Sequence, residues 1–433
     1  MLRVRPRVPP VERPAQHGPE AIERTPVSTT DGSRVAEPAD GAPRRARAPL
    51  PSGYWTLWTT VALDLIGFGI VVPILGRYAE RFGASGFEVG LLFTSYSLAQ
   101  LLCAPLLGRL SDRIGRKPVI VLSLVGTALG SVLSGAAGAL WLLFVGRIVD
   151  GASGASLSVA QAAVGDITTP EQRPKLVGMM GAAFGVGFVV GPAIGGLAAL
   201  GGPHVPFYVA AVLAGINAVA AMVRLPETKR DAQVEREIAE LPTTSLLRRL
   251  AFVGFVAMFA FTGFEATFSL FGERRFGLTE ASTSVVFLCI GVVLVAMQGG
   301  AYAKLVERRG VGAVLYGGMA LVVAGLAVLA AARSWPVLTV ALLLLTVGQG
   351  CASPAITTIV TDRAPEGHRG RALGFQQSAS ALARVAGPPV AGALFDHVGV
   401  PSPYVAGSVL TLVAFALTLV WGLGRQPAAQ LAR

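Results

Sequence analysis

The stretch DITTPEQRPKLVGMMGAAFGVGFVVGPAIGG (residues 166–196) returns, degraded but in register, as DRAPEGHRGRALGFQQSASALARVAGPPVAG (residues 362–392). A constant offset of 196 pairs Asp166 with Asp362, Arg173 with Arg369, Gly178 with Gly374, Gly191-Pro192 with Gly387-Pro388, and Gly196 with Gly392. Upstream, Arg81-Phe82-Gly83 recurs as Arg275-Phe276-Gly277 at an offset of 194. Such self-similarity is the mark of a chain built from two copies of one unit.

Outward from the repeat, the chain is a train of apolar runs, each close to the ~20 residues a helix needs to cross a bilayer. They fall near 55–75, 89–107, 118–138, 140–163, 177–200, 206–224, 250–271, 282–303, 313–332, 336–360, 372–395 and 403–424. Runs of this length exclude a β-barrel, whose strands are ~10 residues of alternating character, and membrane helices tolerate the Gly and Pro within them. The expected fold is an all-α membrane protein of twelve transmembrane helices in two six-helix pseudo-symmetric halves. The halves are 53–224 and 250–424, joined by a charged linker at 225–249. A basic, Pro-rich segment, 1–52, is expected to be a disordered tail, and 425–433 a short second one.

Composition agrees. Of 433 residues, 53% are hydrophobic and 14% charged, against roughly 25% charged in soluble proteins. The net charge of +11 would suit nucleic acid if the cations formed a patch, but 29 of the 36 Lys and Arg fall on one side of the predicted bundle. That asymmetry sets topology: both termini are expected in the cytoplasm and the chain in the plasma membrane, touching anionic lipid and no nucleic acid. Cys103, Cys289 and Cys351 lie in apolar runs and read as small fillers, and the four histidines have no metal-ligand spacing. No phosphate loop follows any of the four lysines, and no hydrolase motif occurs, so neither an enzyme nor a bound cofactor is expected.

The second of these runs is followed by GRLSDRIGRKP (residues 108–118), in which Asp112 stands among four cations. It reads either as a solvated turn or as a charge latch to a neighbouring helix end. Gly108, Asp112, Arg113, Gly115, Arg116 and Lys117 complete the pattern G-x-x-x-D-R-x-G-R-K, which resembles the signature of the major facilitator superfamily. The corresponding segment of the second half, GAYAKLVERRG (residues 300–310), is degraded. In the fifth run Gly187, Gly191 and Gly195 repeat every four residues and Pro192 interrupts them, giving GPAIGG through Gly196: a close-packing face with a hinge, mirrored at Gly387 and Pro388. This segment is similar to the antiporter mark of the twelve-helix drug:proton branch, with tetracycline efflux proteins the nearest comparison.

Five charges remain inside the runs. Arg147 and Asp150 share a stripe with Gly154, Ser158 and Gln161 and are expected to face the bundle interior, since charge in hydrocarbon is costly. Asp64, followed by Pro73 nine residues on, matches the helix 1 pattern of the same family. A carboxyl group there can take a proton from one side and release it on the other, with Arg147 and Asp150 modulating it. Glu265 and Arg384 are expected in a substrate cavity together with Gln377, Phe93, Tyr96, Phe264 and Phe268; whether Arg384 pairs with a carboxylate or binds an anionic group is left open by the sequence. The resemblance implies a monomeric secondary transporter exporting a small amphipathic compound against protons, the proton gradient serving in place of a cofactor. A metabolite exporter, a symporter and a non-transporting sensor on the same fold are the alternatives.

Overall fold

A computed structural model describes residues 51, 53–169, 172–228, 245–364 and 368–424. The expected tails, 1–50 and 425–433, and most of the linker, 229–244, lie outside the described residues. The helices are α1 (Tyr54–Glu80), α2 (Gly86–Ile114), α3 (Arg116–Gly135), α4 (Leu140–Ser153), α5 (Ser156–Ile167), α6 (Arg173–Ala199) and α7 (Val205–Arg224). After the linker follow α8 (Ser245–Phe276), α9 (Glu280–Ala296), α10 (Tyr302–Ala331), α11 (Trp335–Arg363), α12 (Arg369–His397) and α13 (Ser402–Val420). Helix α8 starts at Ser245, so the linker ends five residues earlier than its charge pattern indicates.

Among the described residues, ten helical stretches are long and apolar enough to cross a membrane. One of them, Glu280–Ala331, has 52 residues, enough for two crossings, and the chain turns within it at Gly310, where φ is 77°. Helix α12 is too polar to qualify by composition, yet it packs against α8 and α2 as α6 packs against α1 and α9. Helices α4 and α5 are two segments of one crossing, Leu140–Ile167. Dividing the long stretch and adding α12 yields the twelve crossings read from the sequence.

Outward faces are apolar at helical spacing. Val212, Ile216, Val219 and Val223 on α7, and Val405, Val409 and Leu412 on α13, are exposed, as lipid-facing side chains are. Cys289 is also exposed, so it is a surface residue of α9 and not the buried filler expected of it; Cys351 is buried.

The glycine motif is a seam, and it recurs. A Cβ at Gly187 would stand 2.7 Å from the Leu65 carbonyl oxygen, and one at Gly191 2.6 Å from Gly69 Cα, so α6 and α1 meet backbone to backbone. In the second half Gly387 lies against α8, 2.7 Å from the Phe259 oxygen by the same measure. One turn further on, Gly196 faces Ser284 of α9 and Gly392 faces the Gly86 oxygen of α2. Each half thus uses the same glycine ladder twice, first to close its own bundle and then to approach the other half. Without a hydrophobic drive between helices in lipid, such close van der Waals contact is what holds them together.

The expected turn at 108–117 is shorter than its glycines suggest. Helix α2 runs through Gly108 to Ile114, and Gly115 alone, at φ 110°, makes the reversal into α3. The Glu227 carboxylate accepts from the backbone N–H of Arg116 (2.8 Å) and of Lys117 (3.3 Å), capping the start of α3. Pro118 occupies the third position of α3 and needs no donor partner there.

Candidate functional site

Between the halves lies a cavity of about 310 Å³. Its wall carries all five charges singled out within the apolar runs: Asp64 from α1, Arg147 and Asp150 from α4, Glu265 from α8 and Arg384 from α12. Residues separated by up to 320 positions converge because each half turns its polar stripe toward the other, where charge is spared contact with lipid.

The α4–α5 break shapes the first-half part of the site. The helix is interrupted at Gly154-Ala155, and the freed Gly154 carbonyl accepts from the Gln100 side-chain amide at 2.8 Å. Irregular backbone at membrane depth is tolerated where it lines such a cavity. The interruption turns Ser156 inward, and its hydroxyl donates to Asp64 at 2.5 Å. It also breaks the expected stripe: Gly154 lines the cavity, whereas the Ser158 hydroxyl bonds the Ala155 carbonyl and Gln161 is exposed. Arg147 is ion-paired with Asp150, as the i, i+3 spacing implies, and its guanidinium stacks 4.8 Å above the Tyr96 ring. Its Nε is buried without a partner.

Of the aromatic residues expected here, Phe93 and Tyr96 line the cavity, and Phe261 lines it with them. Phe264 and Phe268 do not: both are buried in a ring cluster with Phe271, Phe287 and Tyr404. Gln377 is likewise outside, exposed two turns before Arg384. Phe68, Phe184 and Phe188 take their places. Nothing in their sequence context separates them from lipid-facing phenylalanines.

One end of the cavity is sealed by ion pairs that cross between the halves. Arg77 Nη2 is 3.0 Å from Glu273 Oε1, Arg81 Nη2 is 2.6 Å from Glu280 Oε1, and Arg274 approaches Glu80 at 3.7 Å. Arg77 also donates to the Leu278 carbonyl, and the Asp396 carboxylate accepts from the backbone N–H of Gly86 (2.9 Å) and Phe87 (2.7 Å), capping α2 from the other half. The sequence reading missed these residues because each falls at or just beyond the end of an apolar run, where charge is ordinary; the signal was complementary charge flanking the repeated Arg-Phe-Gly. Phe184 of α6 also lines the cavity and is 37% exposed.

At the opposite, basic end, Arg116 is the centre of the signature loop. It pairs with Asp112 (2.6 Å) and with Asp166 at the end of α5 (2.9 Å), and donates to the Ser111 hydroxyl (2.7 Å). The ion pair that reaches a neighbouring helix is therefore Arg116 to Asp166 of α5, with the more exposed Asp112 as the second partner of Arg116. Gly108 has open space around it and takes no part in a turn.

Two pseudo-symmetric six-crossing halves around a charged cavity closed at one end define a polytopic membrane transporter. Residues 57–388, and again 302–432, match the family described as the Major Facilitator Superfamily. The chain belongs to that superfamily. It is 32% identical over 349 residues to the tetracycline resistance protein, class C, of Escherichia coli, covering 78% of this chain and 88% of the relative. It is 28% identical over 389 residues to multidrug resistance protein 2 of Bacillus subtilis (strain 168), covering 87% and 96%. Among solved structures it is similar to the human organic anion transporter MFSD10 (TETRAN), with 26% identity, a TM-score of 0.66 and coverage of 84% of this chain and 98% of that one. A bacterial homolog of the lysosomal transporter Spinster, inward-facing and occupied, shares the fold at TM-score 0.70 and 15% identity, over 87% and 98%.

Proposed function

We propose that the protein exports a small amphipathic organic compound in exchange for protons, as a monomer spanning the cytoplasmic membrane with both termini inside. The observation that carries this reading is the convergence of all five membrane-embedded charges on one cavity sealed at one end. The resistance to tetracycline and to multiple drugs named for its relatives supports a drug-like cargo. The cation-rich loops at the basic end support the topology, which makes the cavity inward-facing.

Asp64 is the proton carrier. It makes no ion pair among the described residues and is held by the Ser156 hydroxyl, while Arg147, on the same wall, is engaged by Asp150. A proton on Asp64 removes the charge that Ser156 satisfies. A shift of α4 against α1 that brings Arg147 beside Asp64 favours release of that proton. Helix α5 connects this chemistry to the gate: its first residue, Ser156, holds Asp64, and near its last turn Asp166 holds Arg116. Closing the basic end and rearranging Asp64 are then movements of one short helix, as alternating access requires. One charge crossing 100 mV supplies ~2.3 kcal/mol before any pH difference.

The test is substrate-stimulated proton movement in vesicles reconstituted with the purified protein. Proton flux on adding substrate, lost when both the pH gradient and the potential are collapsed, is the expected result. Accumulation indifferent to both would refute the coupling.

A further inference from the structure

The sealed end brings like charges together as well as opposite ones. Arg77 and Glu80 stand one turn apart on α1, and Glu273 and Arg274 are consecutive on α8. The ion pairs run crosswise between them, Arg77 to Glu273 at 3.0 Å and Arg274 to Glu80 at 3.7 Å. Glu80 and Arg274 are the residues before the two copies of Arg-Phe-Gly, so one position of the repeat carries opposite charges in the two halves. The crossing leaves Glu80 and Glu273 side by side, their carboxyl groups in hydrogen-bond contact across the interface.

The surrounding charges are committed elsewhere. Arg77 also reaches Glu280 at 4.0 Å and donates to the Leu278 carbonyl, and Arg81 holds Glu280 at 2.6 Å. Arg274, the cation paired with Glu80, is 44% exposed and stacks 4.6 Å from the Phe395 ring. Arg275 donates to the Ala330 and Ala332 carbonyls, Asp396 of α12 accepts from the start of α2, and Glu88 of α2 accepts from Ser85. Glu80 thus has a loosely held cation and a close carboxyl neighbour. Two carboxylates in contact resist ionising together, whereas one proton between them makes a short O–H···O bond. Both side chains are partly exposed and both lie beyond the apolar runs 55–75 and 250–271, so water reaches them.

We propose that Glu80 and Glu273 are a proton-operated clasp between the halves: closing this end takes one proton from the adjoining water and holds it between the two carboxyl groups, and opening returns it to the same water. This proton crosses nothing and is distinct from the one carried by Asp64; it sets the balance between open and closed without supplying driving force. The closed state binds one proton more than the open state, so acid at this end favours closure and alkali favours opening. The inference rests on the transport reading, in which this end opens to release the compound outside. Acid outside then returns the emptied carrier to its inward-facing state, as alternating access requires.

The separation of the halves at this end is read from the distance between spin labels on Gly138→Cys and Ser334→Cys. Gly138 follows the loop that touches Tyr78 and has open space around it, and Ser334 is exposed beside the Ala332 carbonyl that Arg275 holds. The full-length chain, lacking Cys103, Cys289 and Cys351, is measured in nanodiscs by electron–electron resonance. From about pH 8 to about pH 5 the ratio of short to long distances is expected to rise about tenfold, as for a proton held about tenfold more tightly in the closed state. Glu80→Gln and Glu273→Gln, whose amide donates where the proton did, hold the short distance at both pH values. Glu280→Gln weakens closure and keeps the response. An unchanged wild-type ratio overturns the proposal, as does a full response retained in both Glu80→Gln and Glu273→Gln, which assigns it to another group. Where those variants fail to fold, Asp64→Asn decides: the response survives there, and its loss overturns the clasp. The result is separable from the coupling test. Closure that follows pH without substrate-driven proton flux keeps the clasp and retires the exporter, and coupled flux with closure indifferent to pH does the reverse.

Discussion

The two halves share a scaffold and differ in what they carry on it. Gly191 of α6 against α1 and Gly387 of α12 against α8 perform the same packing, and Gly196 and Gly392 the same approach across the molecule. The charges do not repeat: Arg147 and Asp150 correspond to Leu343 and Thr346, and the complete signature loop around Arg116 corresponds to a degraded one around Lys304 and Arg308. Duplication explains the shared part, since helices in lipid need the same close contacts wherever they occur. On the proposed reading, the unshared part is where the halves do different work, with the proton-handling and gate residues in the first half.

The shared scaffold breaks most severely at its tightest contact. Gly191→Val drives a side chain into Gly69 and should cost 3 kcal/mol or more, by analogy with about 1–3 kcal/mol for ordinary overpacking, because the obstacle is backbone. Gly181→Val, on the same helix with open space around it, should stay within about 0.5 kcal/mol. Thermal melting in detergent compares them; equal effects would remove the seam from the account.

A smaller effect separates the two ends of the cavity. Arg77→Gln removes the contacts to Glu273 and Glu280 and should shift the balance toward opening at that end by about 1–2 kcal/mol, ~5–30-fold, between the values for exposed and buried pairs. The readout is alkylation of Ser97→Cys by an impermeant reagent from that side, in a chain lacking its three native cysteines. An unchanged rate would mean the ion pairs do not hold the closure.

Smaller still are the effects within the signature loop. Asp112→Asn should cost less than about 1 kcal/mol, because its carboxylate is 63% exposed and Arg116 keeps Asp166. Arg116→Gln should cost more, and Arg308→Gln, in the degraded counterpart, should leave transport unaltered. Equal loss of flux in Arg116→Gln and Arg308→Gln would erase the difference between the halves.

These contrasts also show what the sequence made legible. Asp64, Arg147, Asp150, Glu265 and Arg384 stood out because charge in hydrocarbon is expensive, and the twelve crossings because bilayer thickness fixes helix length. The break at Gly154 did not stand out: it depends on Gln100 of another helix taking the freed carbonyl, and helical periodicity carried straight through it placed Ser158 where Ser156 belongs. Phe264 and Phe268 were assigned to the wrong face, because an aromatic residue in an apolar helix carries no sign of what it faces. The closure of Arg77 and Arg81 on Glu273 and Glu280 joins helix ends about 200 residues apart, and pairing across the halves is invisible until both are folded.

The central claim, that Asp64 couples protons to transport, is tested most directly by one comparison in vesicles bearing Asp64→Asn. The account predicts that substrate exchange at equal concentrations persists within about threefold of wild type, while accumulation driven by an imposed pH gradient falls to background, a loss of at least ~100-fold on the scale of a removed proton-transfer group. Gradient-driven accumulation surviving in Asp64→Asn would contradict it.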